Sequence, residues 1–201
     1  MKTICLLSQP TDDTAPDVTK LSRRGSYILT IQVSEPLAVR FGGFNGGAAI
    51  PIEPGSLIYI GSALAKSGGG SLPWRLLRHA SRTDLDNPHL IRMELLRCFA
   101  TIGWGSSFGP PRPKTLHWHV DYLLDHPQAQ LSHLLIIADP RRLEDALVTH
   151  LAAQDGVKPL APGLGASDSN QTAHLLRSPA SVDWWSVICQ QIAAEFSLAF
   201  Q

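Results

Sequence analysis

Residues 57–80, with the sequence LIYIGSALAKSGGGSLPWRLLRHA, join a short apolar segment to a glycine-rich loop and then to a basic helical segment. The apolar run at the start predicts a buried strand. Ser71 is a suitable N-cap and Pro73 is tolerated in a first helical turn, so a helix is predicted from there to about Ser81. A strand, a flexible loop and a cationic helix in this order indicate a site that holds an anion.

The polar side of this predicted helix is basic. At 100° per residue the apolar side chains fall on one side, and four basic side chains share the other: Arg75, Arg78, His79 and Arg82. With Arg112 and Lys114 in a proline-rich loop further along the chain, this arc predicts a surface that binds nucleic acid; a solvated basic face without function is the alternative. The glycine loop lacks the spacing of a phosphate-binding P-loop, which argues against nucleotide hydrolysis.

The rest of the chain predicts an α+β fold. Alternating apolar and polar residues predict a strand over residues 25–33, and two apolar segments around a glycine-rich turn predict a hairpin within residues 34–55. Further helices are predicted over residues 88–100, 140–154 and 182–196, and further strands over residues 116–124 and 132–139. The first 20 residues are predicted to form a loosely ordered arm, and residues 21–201 a single domain. The predicted sheet is small and mostly antiparallel, with helices flanking it.

The composition indicates an ordinary globular protein but does not indicate what the protein binds. Apolar residues make up 44% of the 201 residues and charged residues 17%, as in an ordinary globular protein. Basic and acidic residues balance at 17 each, so net charge gives no argument for or against nucleic acid. Three widely separated cysteines suggest neither a disulfide framework nor a zinc knuckle, which is typical of a reducing compartment such as the cytoplasm. No segment approaches the roughly 20 apolar residues of a membrane span.

The sequence HWHVD, residues 117–121, forms a second polar cluster. On a strand, His117, His119 and Asp121 would share one face, where they could bind a transition metal or orient a phosphate and a water molecule. A half-exposed strand with a polar outer face is the alternative. Glu144 lies in the first turn of a predicted helix, where a carboxylate is favoured by the helix dipole alone.

Three short motifs occur in order along the chain: Gly25-Ser26-Tyr27, Tyr59-Ile60-Gly61, and Arg75 with His79. Together they resemble the GIY-YIG nuclease superfamily. The likeness is closer to an uncharacterised branch, sometimes fused to an endonuclease III domain, whose signature is GSA, GG and R..RH. That branch also has a histidine-tryptophan-histidine segment, matched by residues 117–124, and a late glycine-containing loop, matched by residues 163–168. The resemblance extends over residues 25–175.

This resemblance implies metal-dependent hydrolysis of phosphodiester bonds in DNA, and the fusion partner connects it with DNA repair and with branched or damaged substrates. Tyr59 would be the general base or its partner, Arg75 would bind the phosphate, and His79 would assist proton transfer. Tyr27 would complete the pocket, which four more residues would line: Gly61, Ser62, Asp168 and His174. A divalent cation, Mg²⁺ or Mn²⁺, would be held by Glu144 or by Asp121, and the sequence leaves these two open.

The chain departs from the superfamily pattern at three places. Ser26 stands where the superfamily name requires isoleucine, and the 31 residues between Tyr27 and Tyr59 predict an inserted hairpin. Ser169 and Asn170 offer no cysteine for a metal site in the late loop. Two other functions remain open: a non-catalytic nucleic-acid-binding module that retains the pocket, and a metalloprotein built on His117, His119 and Asp121.

Overall fold

The computed structural model describes residues 3–10, 21–105, 108–109, 113–165, 173–179 and 181–201. The strands are β1 (Thr3–Ser8), β2 (Gly25–Val33), β3 (Leu37–Arg40), β4 (Ala49–Ile52), β5 (Gly55–Ala63), β6 (Ala129–Ala138), β7 (Lys158–Pro159), β8 (Leu175–Ser178) and β9 (Ala199–Phe200). The helices are α1 (Leu72–His79), α2 (Arg92–Thr101), α3 (His119–Leu124), α4 (Glu144–Ala152) and α5 (Val182–Glu195).

Seven of these strands form one sheet, in the order β7-β8-β5-β2-β6-β1-β9. Only β1 and β6 are parallel among the strand pairs of the described segments. The strands β3 and β4 form a separate antiparallel hairpin. The predicted α+β class with a mostly antiparallel sheet and flanking helices is therefore confirmed.

Both faces of the sheet are buried. Tyr27, Leu29 and Ile31 of β2 point into a core that includes residues of α1, α2 and α3, whereas Ile28 points into a second core with α4 and α5. The same alternation holds in β5, where Tyr59 faces the first core and Ile60 the second. A sheet that is covered on both sides explains why Ile28 interrupts the alternation of β2.

The N-terminal residues differ from the prediction of a loosely ordered arm. Residues Thr3–Ser8 form β1, which pairs in parallel with β6 and buries Leu7 completely. The partner strand lies far along the chain, so the local composition of this segment does not reveal the pairing. Residues 11–20 of the predicted arm lie outside the described part of the chain.

The segment around HWHVD is a helix, and the strand predicted over residues 116–124 is wrong. The carboxylate of Asp121 accepts the backbone N–H groups of His117 and Trp118 at 3.0 and 3.1 Å, which caps the start of α3. Val120, Leu123 and Leu124 are buried at helical spacing. A short segment of this kind satisfies both the helical and the strand period, and here the cap selects the helix.

Two smaller differences affect the site. The helix predicted to begin at Pro140 begins at Glu144, because Asp139 accepts the N–H of Arg141 at 2.9 Å and forms a turn ahead of α4. The strand β8 pairs with β5 only from Ser56 to Tyr59. Beyond Tyr59, Ile60 still donates a backbone hydrogen bond to His174, but among the described residues no strand pairs with the rest of this edge of β5, and a cleft opens there.

Candidate active site

The cleft, of about 730 Å³, lies where the end of β5 meets the start of α4, the side of α1 and the segment before α3. Its lining is mostly polar and consists of Tyr59, Ser62, Arg75, His117, Trp118, Arg142, Glu144, Asp145, Gly165 and His174. These residues come from six separate parts of the chain. The fold thus brings together six residues that the sequence singled out for function or for the pocket: Tyr59, Ser62, Arg75, His117, Glu144 and His174.

Arg75 is held in place from two directions. Its Nη1 donates a hydrogen bond to the carbonyl oxygen of Ser62 at 2.8 Å, and its guanidinium carbon lies 4.3 Å from the ring centre of Trp118. The Nε atom is buried and has no hydrogen-bond partner among the described residues. A planar cation fixed on an aromatic ring, with donors still available, is well suited to bind a phosphate group.

Glu144 lies in the first turn of α4 and reaches back to β5. The hydroxyl of Ser62 donates a hydrogen bond to Oε2, and His174 Nδ1 lies 3.1 Å from Oε1. Burial alone would raise the pKa of this carboxyl group, but the contacts with His174 and Ser62 outweigh burial and lower the pKa below its ordinary value. The cleft therefore contains an ionised carboxylate at neutral pH, opposite the guanidinium of Arg75.

Tyr59 is almost fully buried but still contributes to the cleft wall. Burial raises the pKa of its phenol, and the negative charge of Glu144 raises it further, while Arg75 acts in the opposite direction. The phenol is therefore protonated at neutral pH. It can donate a hydrogen bond to a water molecule or a phosphate oxygen, but it does not carry the negative charge of a resident base.

Behind the cleft, Tyr27, His79 and Asp121 form a buried polar chain. The hydroxyl of Tyr27 lies 2.9 Å from His79 Nε2, and His79 Nδ1 lies 3.7 Å from Asp121 Oδ1. Burial lowers the pKa of His79 and keeps the imidazole neutral, even though Asp121 acts in the opposite direction. The Nδ1–H tautomer then faces the carboxylate, and Nε2 accepts the hydrogen bond from Tyr27.

Asp121 is the anchor of this chain rather than part of the cleft wall. Burial opposes its ionisation, but the nearby imidazole of His79 and the hydrogen bonds from the N–H of His117 and from Arg78 keep its pKa well below the ordinary value. Arg78 Nη2 lies 2.8 Å from its Oδ2. His79 and Tyr27 are also outside the cleft lining, so these three residues act on the cleft indirectly. The ring of His79 contacts Tyr59 and Trp118, and the charge of Asp121 raises the pKa of Tyr59.

Two basic residues predicted to bind nucleic acid are buried instead. Arg82 donates hydrogen bonds to the carbonyl groups of Leu124, Asn87 and Ala129, and its side chain ties three loops together. Lys114 donates to the carbonyl of Ser81 with only 3% of its side chain exposed. Both side chains are therefore buried and not exposed on a helix face, because other elements pack around the end of α1, although Lys114 still borders a small pocket.

The remaining predicted residues are distributed around the cleft. The exposed His117 lines it, whereas His119 Nδ1 accepts the N–H of Gly165 at 3.1 Å and fixes the loop beside the cleft. Gly61 lies under the ring of Tyr27 and not in the cleft. Arg112 and Asp168 lie outside the described residues.

The helical course of α3 removes the geometric basis for a metal site of His117, His119 and Asp121, since their predicted shared face required a strand. Among the described residues no group of three or more histidine, cysteine, aspartate or glutamate side chains could hold a metal ion. The positions of the two carboxylates favour Glu144 over Asp121 as the ligand of a catalytic cation. Glu144 lines the cleft, whereas Asp121 is fully buried and already accepts three hydrogen bonds.

Four cleft residues escaped the sequence-based prediction: Trp118, Arg142, Asp145 and Gly165. Trp118 alternates with His117 and His119, so on the predicted strand it would lie on the face opposite to theirs. Arg142 and Asp145 lie close to Glu144 in the sequence, and this closeness is the signal that could have identified them as cleft residues. Gly165 belongs to the late glycine-containing loop that the family resemblance had singled out as a whole.

A sequence model described as "Domain of unknown function DUF123" matches residues 26–195. The chain belongs to the DUF123 family. The DUF123 match includes every residue of the cleft and leaves out β1 and β9. Comparison with curated proteins and with solved structures gives no match for this DUF123 chain. In the described ranges, no helix has the length and apolar character needed to cross a bilayer.

Proposed function

We propose that this DUF123 protein is a metal-dependent nuclease that hydrolyses phosphodiester bonds in DNA. The observation that carries the proposal is the convergence of Arg75, Tyr59 and Glu144 on one polar cleft. Phosphodiester hydrolysis needs a cation for the phosphate, an oriented water molecule and compensation of the charge that develops in the transition state. The same residues carry the resemblance to the GIY-YIG nucleases.

Arg75 would bind the scissile phosphate. Its contacts with Ser62 and Trp118 leave donors on the cleft side, and a guanidinium can donate to two phosphate oxygens at once. Because the side chain is already fixed before the substrate binds, little conformational entropy is lost on binding. Its charge would then offset the negative charge that builds up on the phosphate oxygens.

The residues around Glu144 fit a divalent cation of the Mg²⁺ type. Such ions are commonly bound by one or two carboxylates together with water and substrate phosphate oxygens, so a single ionised carboxylate in a polar cleft is a suitable donor set. A bound cation would polarise the phosphate and activate water. Ser62 and His174 fix the orientation of the Glu144 carboxylate, and Asp145 adds negative charge at the same helix start.

Tyr59 would orient the attacking water or a phosphate oxygen as a neutral phenol. Its raised pKa argues against the role of resident base that the superfamily resemblance implies. Tyr27, His79 and Asp121 would hold the ring of Tyr59 from behind through their buried contacts. The positioning of Tyr59 therefore depends on residues that do not contact the substrate.

The proposal is tested by incubating the purified protein with Mg²⁺ or Mn²⁺ and single-stranded, duplex, flap and branched DNA. We expect cleavage of at least one substrate, reduced roughly 100-fold or more by Arg75→Ala and roughly tenfold or more by Tyr59→Phe. Arg97→Ala, which removes an exposed charge outside the cleft, is the matched control. Absence of cleavage of all four substrates, or full activity of both cleft variants, would overturn the proposal.

A DNA-binding module without catalytic activity is the second candidate, favoured by the protonated state of Tyr59. Binding would then weaken as salt concentration rises, because phosphate contacts release counterions, and it would be indifferent to the metal. Salt-dependent binding of the same DNA without cleavage in either metal would support the module over the nuclease.

A further inference from the structure

A second pocket lies beside α1, away from Glu144. It has a volume of about 170 Å³, and its apolar wall is formed by Trp74, Leu77, Phe108 and Pro113. The rings of Trp74 and Phe108 meet edge to face with their centres 5.2 Å apart. The pocket is too small for a large ligand and is the size of a single aromatic ring system.

A groove of about 410 Å³ links this pocket to the cleft. The groove shares Arg75, His117 and Trp118 with the cleft, and it shares Gly69 and Arg78 with the pocket. Arg75 and Arg78 lie about one helical turn apart on α1. The three depressions therefore form a continuous track along one helix, with a guanidinium at each junction.

The pocket also contains buried cationic groups. The Lys114 ammonium lines it, donates one hydrogen bond to the carbonyl of Ser81 and lies 4.0 Å from Asp121. Arg92 also lines it; its Nη1 donates to the carbonyl of Leu77 and the hydroxyl of Ser81, and its Nη2 donates one N–H to the carbonyl of Gly109 and has a second N–H. An ammonium has three N–H donors, so Lys114 retains donors for a ligand. Among the described residues, the charged side chains that line this pocket are all cationic, which favours a ring that carries hydrogen-bond acceptors on its edge.

We propose that this pocket binds one unpaired nucleobase adjacent to the scissile phosphate, an inference that rests on the proposed function. Enzymes that handle unpaired bases bind them between aromatic or apolar side chains and recognise their polar edges. Here Trp74, Phe108 and Leu77 supply the apolar walls, while Lys114 and Arg92 donate to the edge. The backbone of the same strand follows the groove past Arg78 to Arg75. The substrate class is therefore DNA with an unpaired base next to the cleavage site, such as a bulge, a flap or a single strand.

The test uses a fluorescein-labelled duplex with one unpaired thymidine and the same duplex with an abasic nucleotide at that position. Thymine presents carbonyl acceptors on its edge. Binding of the wild-type protein is measured by fluorescence anisotropy in EDTA, so that no cleavage occurs. We expect the abasic duplex to bind roughly 5- to 100-fold more weakly, the range that stacking of one base produces.

Three variants test whether the preference for the unpaired thymidine depends on the pocket. Trp74→Ala should abolish the difference between the two duplexes, and Trp74→Phe should restore part of it. Trp184→Ala, on α5 and in contact with the opposite core, should keep the whole difference. Circular dichroism and thermal melting test whether each variant folds. If Trp74→Ala does not fold, the comparison of the two duplexes with the wild-type protein still decides the inference.

The outcomes separate this inference from the proposed function. Equal binding of the two duplexes by a protein that still cleaves DNA with Mg²⁺ would overturn the pocket and leave the nuclease intact. A preference for the unpaired thymidine without cleavage would support the pocket and overturn the nuclease. Absence of DNA binding would overturn both.

Discussion

The ring of Tyr27 lies directly across Gly61 on the neighbouring strand. The two residues are paired in the β2–β5 register, and a Cβ atom on Gly61 would lie 2.5 Å from the Tyr27 hydroxyl oxygen. Glycine leaves the space through which the phenol reaches His79. The tyrosine of the first motif and the glycine of the second are thus one packing unit rather than two independent features.

Gly61→Ala should destabilise the protein by about 1 to 3 kcal/mol, because the added methyl group displaces a fully buried ring. Gly69→Ala is the matched control, since a Cβ at that position would meet no atom of the described part of the chain within 4 Å. Urea denaturation at neutral pH measures both free energies of unfolding. Equal stability of the two variants would show that the Tyr27 ring can move aside without cost.

Tyr27→Phe should lower the free energy of unfolding by about 1 to 2 kcal/mol. The substitution leaves His79 Nε2 buried without its hydrogen-bond donor. Tyr122→Phe removes a hydroxyl from a half-buried tyrosine on α3 and serves as the control. We also expect Tyr27→Phe to reduce DNA cleavage by a smaller factor than Tyr59→Phe, since Tyr27 does not line the cleft. A greater loss of cleavage for Tyr27→Phe would contradict this indirect role.

Stability should fall as the pH decreases from about 6.5 to about 4, because of His89. Burial, with the charge of Arg82 as a second cause, lowers the pKa of His89 to about 4. Below pH 6.5 the unfolded chain binds a proton at this residue and the folded chain does not, so folding becomes less favourable. At about 1.4 kcal/mol per pH unit, the loss across this window is about 3 kcal/mol.

Guanidinium denaturation at several pH values measures this effect. His89→Gln should flatten the profile in that window, whereas His117→Gln, at an exposed position, should not. His79 contributes with the same sign, because burial also lowers its pKa. Asp121 also destabilises the folded state at lower pH, from the ordinary pKa of an aspartate in the unfolded chain down to its depressed pKa in the folded protein. An unchanged profile in His89→Gln would refute the assignment.

Glu144→Gln should weaken binding of Mn²⁺ at the cleft by roughly tenfold or more, because the amide lacks the negative charge that a divalent cation requires. Asp145→Asn removes the same charge from an adjacent, exposed residue and should have a smaller effect. Titration followed by electron paramagnetic resonance measures binding without reference to cleavage. Identical affinities of the wild type and Glu144→Gln would exclude Glu144 as the ligand.

Arg82→Ala should destabilise the fold by about 3 kcal/mol or more, since it leaves three backbone carbonyl groups without their donor. Arg97→Ala, which breaks an exposed ion pair with Glu94, should cost less than about 1 kcal/mol. Thermal melting distinguishes the two variants. Comparable melting temperatures would return Arg82 to the set of surface residues that could bind DNA.

The helices and strands predicted most accurately from the sequence are those whose apolar period agrees with the observed burial. The strand β2, the hairpin of β3 and β4, and helices α1 and α5 were predicted close to their observed positions because each has its own apolar period or turn residues. The prediction failed for β1, whose partner β6 is remote in sequence. It also failed for α3. The apolar residues of this segment fit both the helical and the strand period, and the hydrogen bonds of Asp121 select the helix.

In the candidate site, too, some residues were predicted from the sequence and others were not. The resemblance to the GIY-YIG nucleases implied that Tyr59, Arg75 and either Glu144 or Asp121 share one pocket, and the first three of these line the cleft. A helical projection put Arg82 on the basic face, but α1 ends at His79, and Arg82 lies beyond the helix where other elements pack against it. The burial of Lys114 was equally hard to predict, since a basic residue in a proline-rich loop gives no indication of what packs against it. Which polar residues are covered depends on tertiary packing.

The central strand β2 has two partners that are synthesised at very different times. β5 follows it after the β3–β4 hairpin, whereas β6 begins only at Ala129. On the ribosome the β2–β5 ribbon is complete while the other edge of β2 is still unpaired and its apolar residues lack most of their cover. Such an edge is prone to aggregate. Production of this protein should therefore depend on chaperones that protect the nascent chain, and C-terminal truncations before β6 should be insoluble.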